Sequence, residues 1–225
     1  MVDNFWPDSG NMKLYEETIQ FVGGKETDNL SKKMRFEIMM QLLEKTLQNN
    51  TEFDVVECGC WNGHSTRTSA TLMQQNGFTG KFHVFDSFEG GLSEFTERDR
   101  DEKSAGNESQ ENDVRAYFES SFDAVKERLK EFNFVHFYKG WIPDRFDEVA
   151  DRKFSFVNID VDMYDPIMDS LKFFYPRLVD GGCIYLDDYN YAGFPGAKRA
   201  VDDFMKENKP TFFLRMPFGS AFIIK

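Results

Sequence analysis

Asp160 and Asp162 close one apolar run, Asn158-Ile159-Asp160-Val161-Asp162, and Asp187 and Asp188 close another, Tyr185-Leu186-Asp187-Asp188. If the two runs are adjacent parallel strands, their ends meet and four carboxylates converge on one rim. Neither run carries Lys or Arg, so the group repels itself unless a cation or a proton intervenes. Oxygen-only donors suit a hard divalent ion such as Mg²⁺ better than zinc. Acids at strand ends also cap helices, which would account for Asp165 before Pro166. Two pairs on neighbouring strands exceed that explanation, so the spacing predicts a metal site.

A second constellation lies earlier, at Glu57-Cys58-Gly59-Cys60-Trp61-Asn62-Gly63-His64. It reads as a strand end, a turn and a helix start. Gly59 supplies the backbone freedom of the turn, and Gly63 lets a ligand approach the helix. The spacing departs from the dinucleotide fingerprint, and Glu57 would repel a pyrophosphate. An acid there suits a ligand with a positive charge, such as the amino group of S-adenosylmethionine. Downstream, Phe85-Asp86-Ser87 places a carboxylate at the tip of a second strand, where it can accept both ribose hydroxyls. Lys139-Gly140-Trp141 ends a third strand, and an adenine can rest on the Gly140 backbone and the Trp141 edge. Packing in the core is the competing role for Trp141.

These residues need a scaffold. Helix-spaced residues over 13–22 and 31–48 predict two N-terminal helices, the second with Ser31 as N-cap. Short apolar runs at 53–58, 81–86, 134–138, 154–160 and 183–187 then alternate with helix-length stretches at 64–76, 114–131, 142–150, 165–176 and 195–207. That alternation predicts an α/β fold whose parallel sheet is covered on both faces. The runs at 211–216 and 220–224 flank Pro217-Phe218-Gly219, so the chain should end in an antiparallel hairpin. Residues 89–113 are charged and poor in apolar side chains, and their place after a strand's C-terminal end predicts a lid.

The composition narrows the partners. The 225 residues carry a net charge of −12, which disfavours a nucleic acid. No apolar run reaches the roughly 20 residues of a membrane span. The start lacks the features of a signal peptide, and Cys58, Cys60 and Cys183 are too few and too irregular for a disulfide framework, so the expected location is cytoplasmic. The C-x-C pair has no second pair to complete a metal site. His83 and His136 lie inside strands and read as structural; His64 opens the first helix of the alternation beside the ligand turn. A single domain over 1–225 is expected, and the apolar N-terminal helices are compatible with a homodimer.

Together, Glu57-x-Gly59-x-Trp61-x-Gly63, Asp86-Ser87-Phe88-Glu89-Gly90, Lys139-Gly140-Trp141, Asp160-x-Asp162-Met163-Tyr164, Tyr175-Pro176-Arg177-Leu178-x-x-Gly181-Gly182 and Asp187-Asp188-Tyr189 resemble the macrocin O-methyltransferase (TylF/MycF-type) family over about 30–207. The family has Arg-Gly-Gly after the tryptophan, where this chain has Asn62-Gly63-His64. The resemblance implies a class I methyltransferase, a Rossmann-like three-layer sandwich with a seven-stranded sheet. It also implies S-adenosyl-L-methionine and Mg²⁺ as cofactors and methyl transfer to a hydroxyl of a sugar or similar small molecule. By position it implies Asp160, Asp187 and Asp188 as metal ligands and Asp162 as general base, with Asp160 the alternative base. Glu57, Gly59, Trp61, Gly63, Asp86, Ser87, Gly140 and Trp141 then form the cofactor site. Two other readings stand beside it: an inactive S-adenosylmethionine-binding module, and an NAD-linked dehydrogenase.

Overall fold

The computed structural model describes residues 10–100 and 108–225. The lid prediction therefore falls partly outside the described residues. Two helices, α1 (Gly10–Val22) and α2 (Leu30–Leu47), precede the alternating part. The strands β1 (Asp54–Cys58), β2 (Phe82–Asp86), β3 (Val135–Lys139), β4 (Phe154–Ile159), β5 (Leu178–Leu186), β6 (Phe212–Arg215) and β7 (Ala221–Ile224) form one sheet in the order β3-β2-β1-β4-β5-β7-β6. Strands β1 to β5 pair in parallel, and β7 runs antiparallel to both β5 and β6. The predicted sheet and terminal hairpin are both present.

The sheet is covered on both sides because its strands are apolar on both faces. On one face Val55, Phe82, Val84 and Tyr185 pack with Met39, Met40 and Leu43 of α2 and with α3 (His64–Gln75). On the other, Val56, Phe85, Val157 and Ile184 pack with α6 (Tyr164–Phe174) and α7 (Pro195–Glu207). Helices α4 (Glu108–Tyr117) and α5 (Phe122–Leu129) complete the layers. No helix among the described residues is long and apolar enough to cross a membrane.

Local details differ from the sequence reading. Helix α2 is capped by Asn29, whose side chain accepts from the Lys32 N–H, and Ser31 lies inside the helix. The stretch 114–131 is two helices, because Ser121 caps a new one at Ala124 N. Only a 3₁₀ turn, Phe146–Val149, forms within 142–150. Asp165 does not cap α6: Asp99, from the 89–113 insertion, accepts the Tyr164 N–H at 2.7 Å, and Asp165 pairs instead with Arg98.

The strand order reverses between β1 and β4, which leaves a crevice at their C-terminal ends. There the backbones come unusually close. Gly59 has φ +85°, and a Cβ on it would lie 1.8 Å from the Asp160 carbonyl oxygen. Gly59→Ala therefore combines left-handed strain with a clash against backbone. It is expected to lower stability by about 2–5 kcal/mol, read by urea unfolding.

Candidate active site

Two cavities meet above this crevice. The first runs from Gly140, Trp141 and Ile142, past Asp86, Ser87 and the Gly59–Asn62 turn, to Thr27, Lys32 and Phe36. The second, about 570 Å³, is walled by Phe95, Val114, Tyr117, Phe118, Tyr191 and Phe194, with Asp187 and Asp188 also on its lining. Trp61, Lys32, Asp160 and Asp162 line both cavities. The junction is thus carboxylate-rich, and the second chamber is largely aromatic.

Register explains the carboxylates. Ile159 pairs with Leu186, so the residues that follow, Asp160 and Asp187, leave the sheet side by side. One oxygen from each of Asp160, Asp187 and Asp188 lies within 4.8 Å of the others. Asp162 stands next to them with φ +59°. Burial pushes the Asp160, Asp162 and Asp188 carboxyls well above the ordinary range, and repulsion within the group adds to this.

The expectation that no basic residue joins the cluster is corrected. Arg35 of α2 donates to Asp187 and lies 3.8 Å from Asp188. Tyr185 fixes its position by donating to the Arg35 carbonyl at 3.0 Å. Burial opposes the charge on Arg35, but Asp187, Asp188 and Asp160 outweigh it and hold the guanidinium protonated. Sequence separation hid this partner: α2 reads as a packing helix, and Arg35 lies 152 positions from Asp187. Lys32, one turn earlier, was missed for the same reason.

The cofactor candidates divide into wall and support. Asp86 Oδ2 accepts from the N–H groups of Cys60 at 2.7 Å and Trp61 at 3.0 Å, and Oδ1 accepts from Phe88 at 2.6 Å. Of about four lone-pair sites on a carboxylate, three are used, leaving one rather than the two needed for both ribose hydroxyls. Ser87 donates to the Gly91 carbonyl at 2.6 Å and shapes the same wall. Trp141 is 41% exposed, so it forms a rim over Gly90 and is not core.

Two candidates lie off the wall. Glu57 is 0% exposed and does not line the cavity; it accepts from Thr66 and from Asn158 at 3.2 Å. Gly63 opens space toward α5 instead of toward a ligand, since a Cβ there would meet Val125 at 3.2 Å. His64 lines the cavity but stacks on Phe36 at 4.3 Å, and burial pushes its pKa down to about 3. A neutral, stacked imidazole is a wall element. His83 is held between Asp54 at 3.0 Å and Tyr138 at 2.9 Å, a structural role.

The described part of the 89–113 insertion is fastened. Asp99 ties Thr96 to the start of α6 and touches Gly196 of α7; Arg199 donates to the Arg98 and Arg100 carbonyls. Phe95 from this segment faces the second cavity.

With this geometry in place, comparison with known proteins is decisive. The macrocin-O-methyltransferase (TylF) family model matches residues 26–215. The chain belongs to that family. It is 26% identical over 188 residues to the 8-demethyl-8-(2,3-dimethoxy-alpha-L-rhamnosyl)-tetracenomycin-C 4'-O-methyltransferase of Streptomyces olivaceus. The match takes in 81% of this chain and 66% of that relative, so the chain spans about two thirds of its length. The solved O-methyltransferase NovP superposes with a TM-score of 0.67 at 24% identity, over 84% of this chain and 78% of its own. An O-methyltransferase from Bacillus cereus, solved in complex with SAH, gives a TM-score of 0.55 at 15% identity, over 100% and 94% of the two chains. These likenesses establish the methyltransferase fold.

Glu57 offers a test of the buried floor. Burial pushes its pKa from 4.5 up to about 7, against hydrogen bonds from Ser65, Thr66 and Asn158. An acid raised in the folded state contributes stability below its unfolded pKa and loses it as pH rises through about 7. Relative to wild type, Glu57→Gln is expected to gain on the order of 2 kcal/mol between pH 5 and pH 8 in urea unfolding.

Proposed function

We propose that this protein is an S-adenosylmethionine-dependent O-methyltransferase that methylates a hydroxyl of a sugar or other small natural-product-like acceptor. One observation carries the reading: Asp160 and Asp162 line both cavities, so carboxylates sit where a cofactor in one chamber meets an acceptor in the other. The second chamber's volume suits an acceptor of drug size, and its aromatic walls suit a ring system.

The first chamber fits the cofactor. The open lone pair of Asp86 accepts a ribose hydroxyl, Gly140 and Trp141 bracket the base, and Gly59 keeps the turn clear of side chain. Trp61 closes the wall between the chambers, and Glu57 and Gly63 hold the turn from behind. S-adenosylmethionine supplies an electrophilic methyl on its sulfonium. The walls align the acceptor oxygen behind it, an effect worth up to about 7–11 kcal/mol.

The acid rim fits a divalent cation. Its donors are all oxygen, three of them lie within 4.8 Å of one another, and Asp188 Oδ2 is buried with no hydrogen-bond partner among the described residues. Asp160, Asp187 and Asp188 would hold Mg²⁺, with Arg35 sharing the charge of Asp187. Such an ion would supply stabilisation of negative charge on the acceptor oxygen. Asp162, outside that trio and raised in pKa, accepts the hydroxyl proton.

Asp162→Asn is expected to retain S-adenosylmethionine affinity and lose turnover by about 10²-fold or more, measured with labelled cofactor over a panel of hydroxylated acceptors. Unchanged turnover would remove Asp162 as base. In the same assay EDTA is expected to abolish activity, and Asp187→Ala to weaken Mg²⁺ binding in calorimetry. Full activity in excess chelator would eliminate the metal role.

A further inference from the structure

Lys32 is a part-buried cation that the reaction scheme above leaves without a task. It projects from α2 into the junction of the two cavities, beside Thr27 and Phe36. Among the described residues its amine forms one hydrogen bond, to Thr27 Oγ1 at 2.8 Å, and no ion pair within 4.0 Å. Its ring neighbour Phe36 lies 5.8 Å from the amine. Asp160 and Asp187 act on Lys32 through space without touching it, and burial pulls its pKa down. A part-buried ammonium with a single hydrogen-bond partner retains donors for an anion.

The shape of the first cavity says which anion fits. Asp86, Gly140 and Trp141 occupy the end over β2 and β3, where the adenosine belongs under the cofactor reading on which this inference rests. The sulfonium must reach the Asp160–Asp162 rim to meet an acceptor. The amino-acid tail is then left to the remaining end, formed by Thr27, Lys32 and Ser65. That tail is a zwitterion. The acid rim attracts its ammonium and repels its carboxylate, so the carboxylate turns toward Lys32, which among the described residues is the one Lys or Arg on that wall.

We propose that Lys32 is the anchor for the methionine carboxylate of S-adenosylmethionine, with Thr27 orienting the amine. The assignment gives α2 a direct part in cofactor recognition. Lys32 and Arg35 then divide the labour along one helix edge, one meeting the cofactor and the other the rim.

The test compares two ligands on the full chain by calorimetry. S-adenosylmethionine carries the carboxylate; 5′-methylthioadenosine keeps the adenosine and thioether but lacks the amino-acid part. Lys32→Met is expected to weaken S-adenosylmethionine about 10- to 100-fold, the worth of one charge-assisted hydrogen bond, and to leave methylthioadenosine within about twofold of wild type. Lys32→Arg is expected to recover most of the loss. Unchanged S-adenosylmethionine affinity, or an equal loss for both ligands, would overturn the assignment. Failure of the wild type to bind S-adenosylmethionine at all would instead remove the cofactor reading beneath it.

Discussion

The close passage of Gly59 against the Asp160 carbonyl is the contact on which the site depends. It joins the turn after β1 to the end of β4 at the point where the sheet order reverses. The turn forms a wall of the first cavity, and the strand end carries the carboxylates. No side chain fits between them: even a methyl would lie 1.8 Å from the carbonyl oxygen. Backbone hydrogen bonds from Gly59 N to Phe85 O and from Asp160 N to Cys58 O extend the sheet ladder to this point. The glycine turn and the acid rim are thereby held at a fixed separation, the alignment that the proposed methyl transfer needs.

The frame gathers like charge, and the molecule answers with burial and with an ion pair from Arg35. Asp160, Asp162 and Asp188 are pushed toward the protonated form, while Arg35 of α2 pairs with Asp187. A group kept in this state favours proton uptake and cation binding alike. The same helix that brings Arg35 also supplies apolar cover through Met39, Met40 and Leu43, so its packing and its electrostatics cannot vary independently.

The insertion after β2 shows how a loop becomes a wall. Its sequence is charged and almost without apolar anchors, the usual marks of a mobile segment. Asp99 nevertheless satisfies the orphan N–H at the start of α6 and closes against Gly196 of α7, so one carboxylate fastens the strap to two helices. Phe95, which this segment presents to the second cavity, lies four residues before this polar anchor.

Periodicity was enough to read the parallel sheet, the hairpin and the convergence of Asp160, Asp162, Asp187 and Asp188, because strand ends in such a sheet share one edge. The turn from Glu57 to Gly63 was legible as a glycine turn between strand and helix for a related reason: its glycines and its place in the chain are local. What each residue of that turn faces was not legible. Glu57 proved to be floor and Gly63 to be a packing position, since the direction of a side chain depends on which helices cover the sheet. Asp86 is likewise mostly consumed by backbone donors that adjoin it only after folding. Arg35 reaches the rim, and Lys32 the cavity junction beside it, because α2 packs across β4 and β5, a placement that no spacing within α2 encodes. Chemistry confined to strand ends was thus determined by the sequence. Chemistry that crosses from helix to sheet was decided by tertiary packing, because charge acts through distance in space and not along the chain.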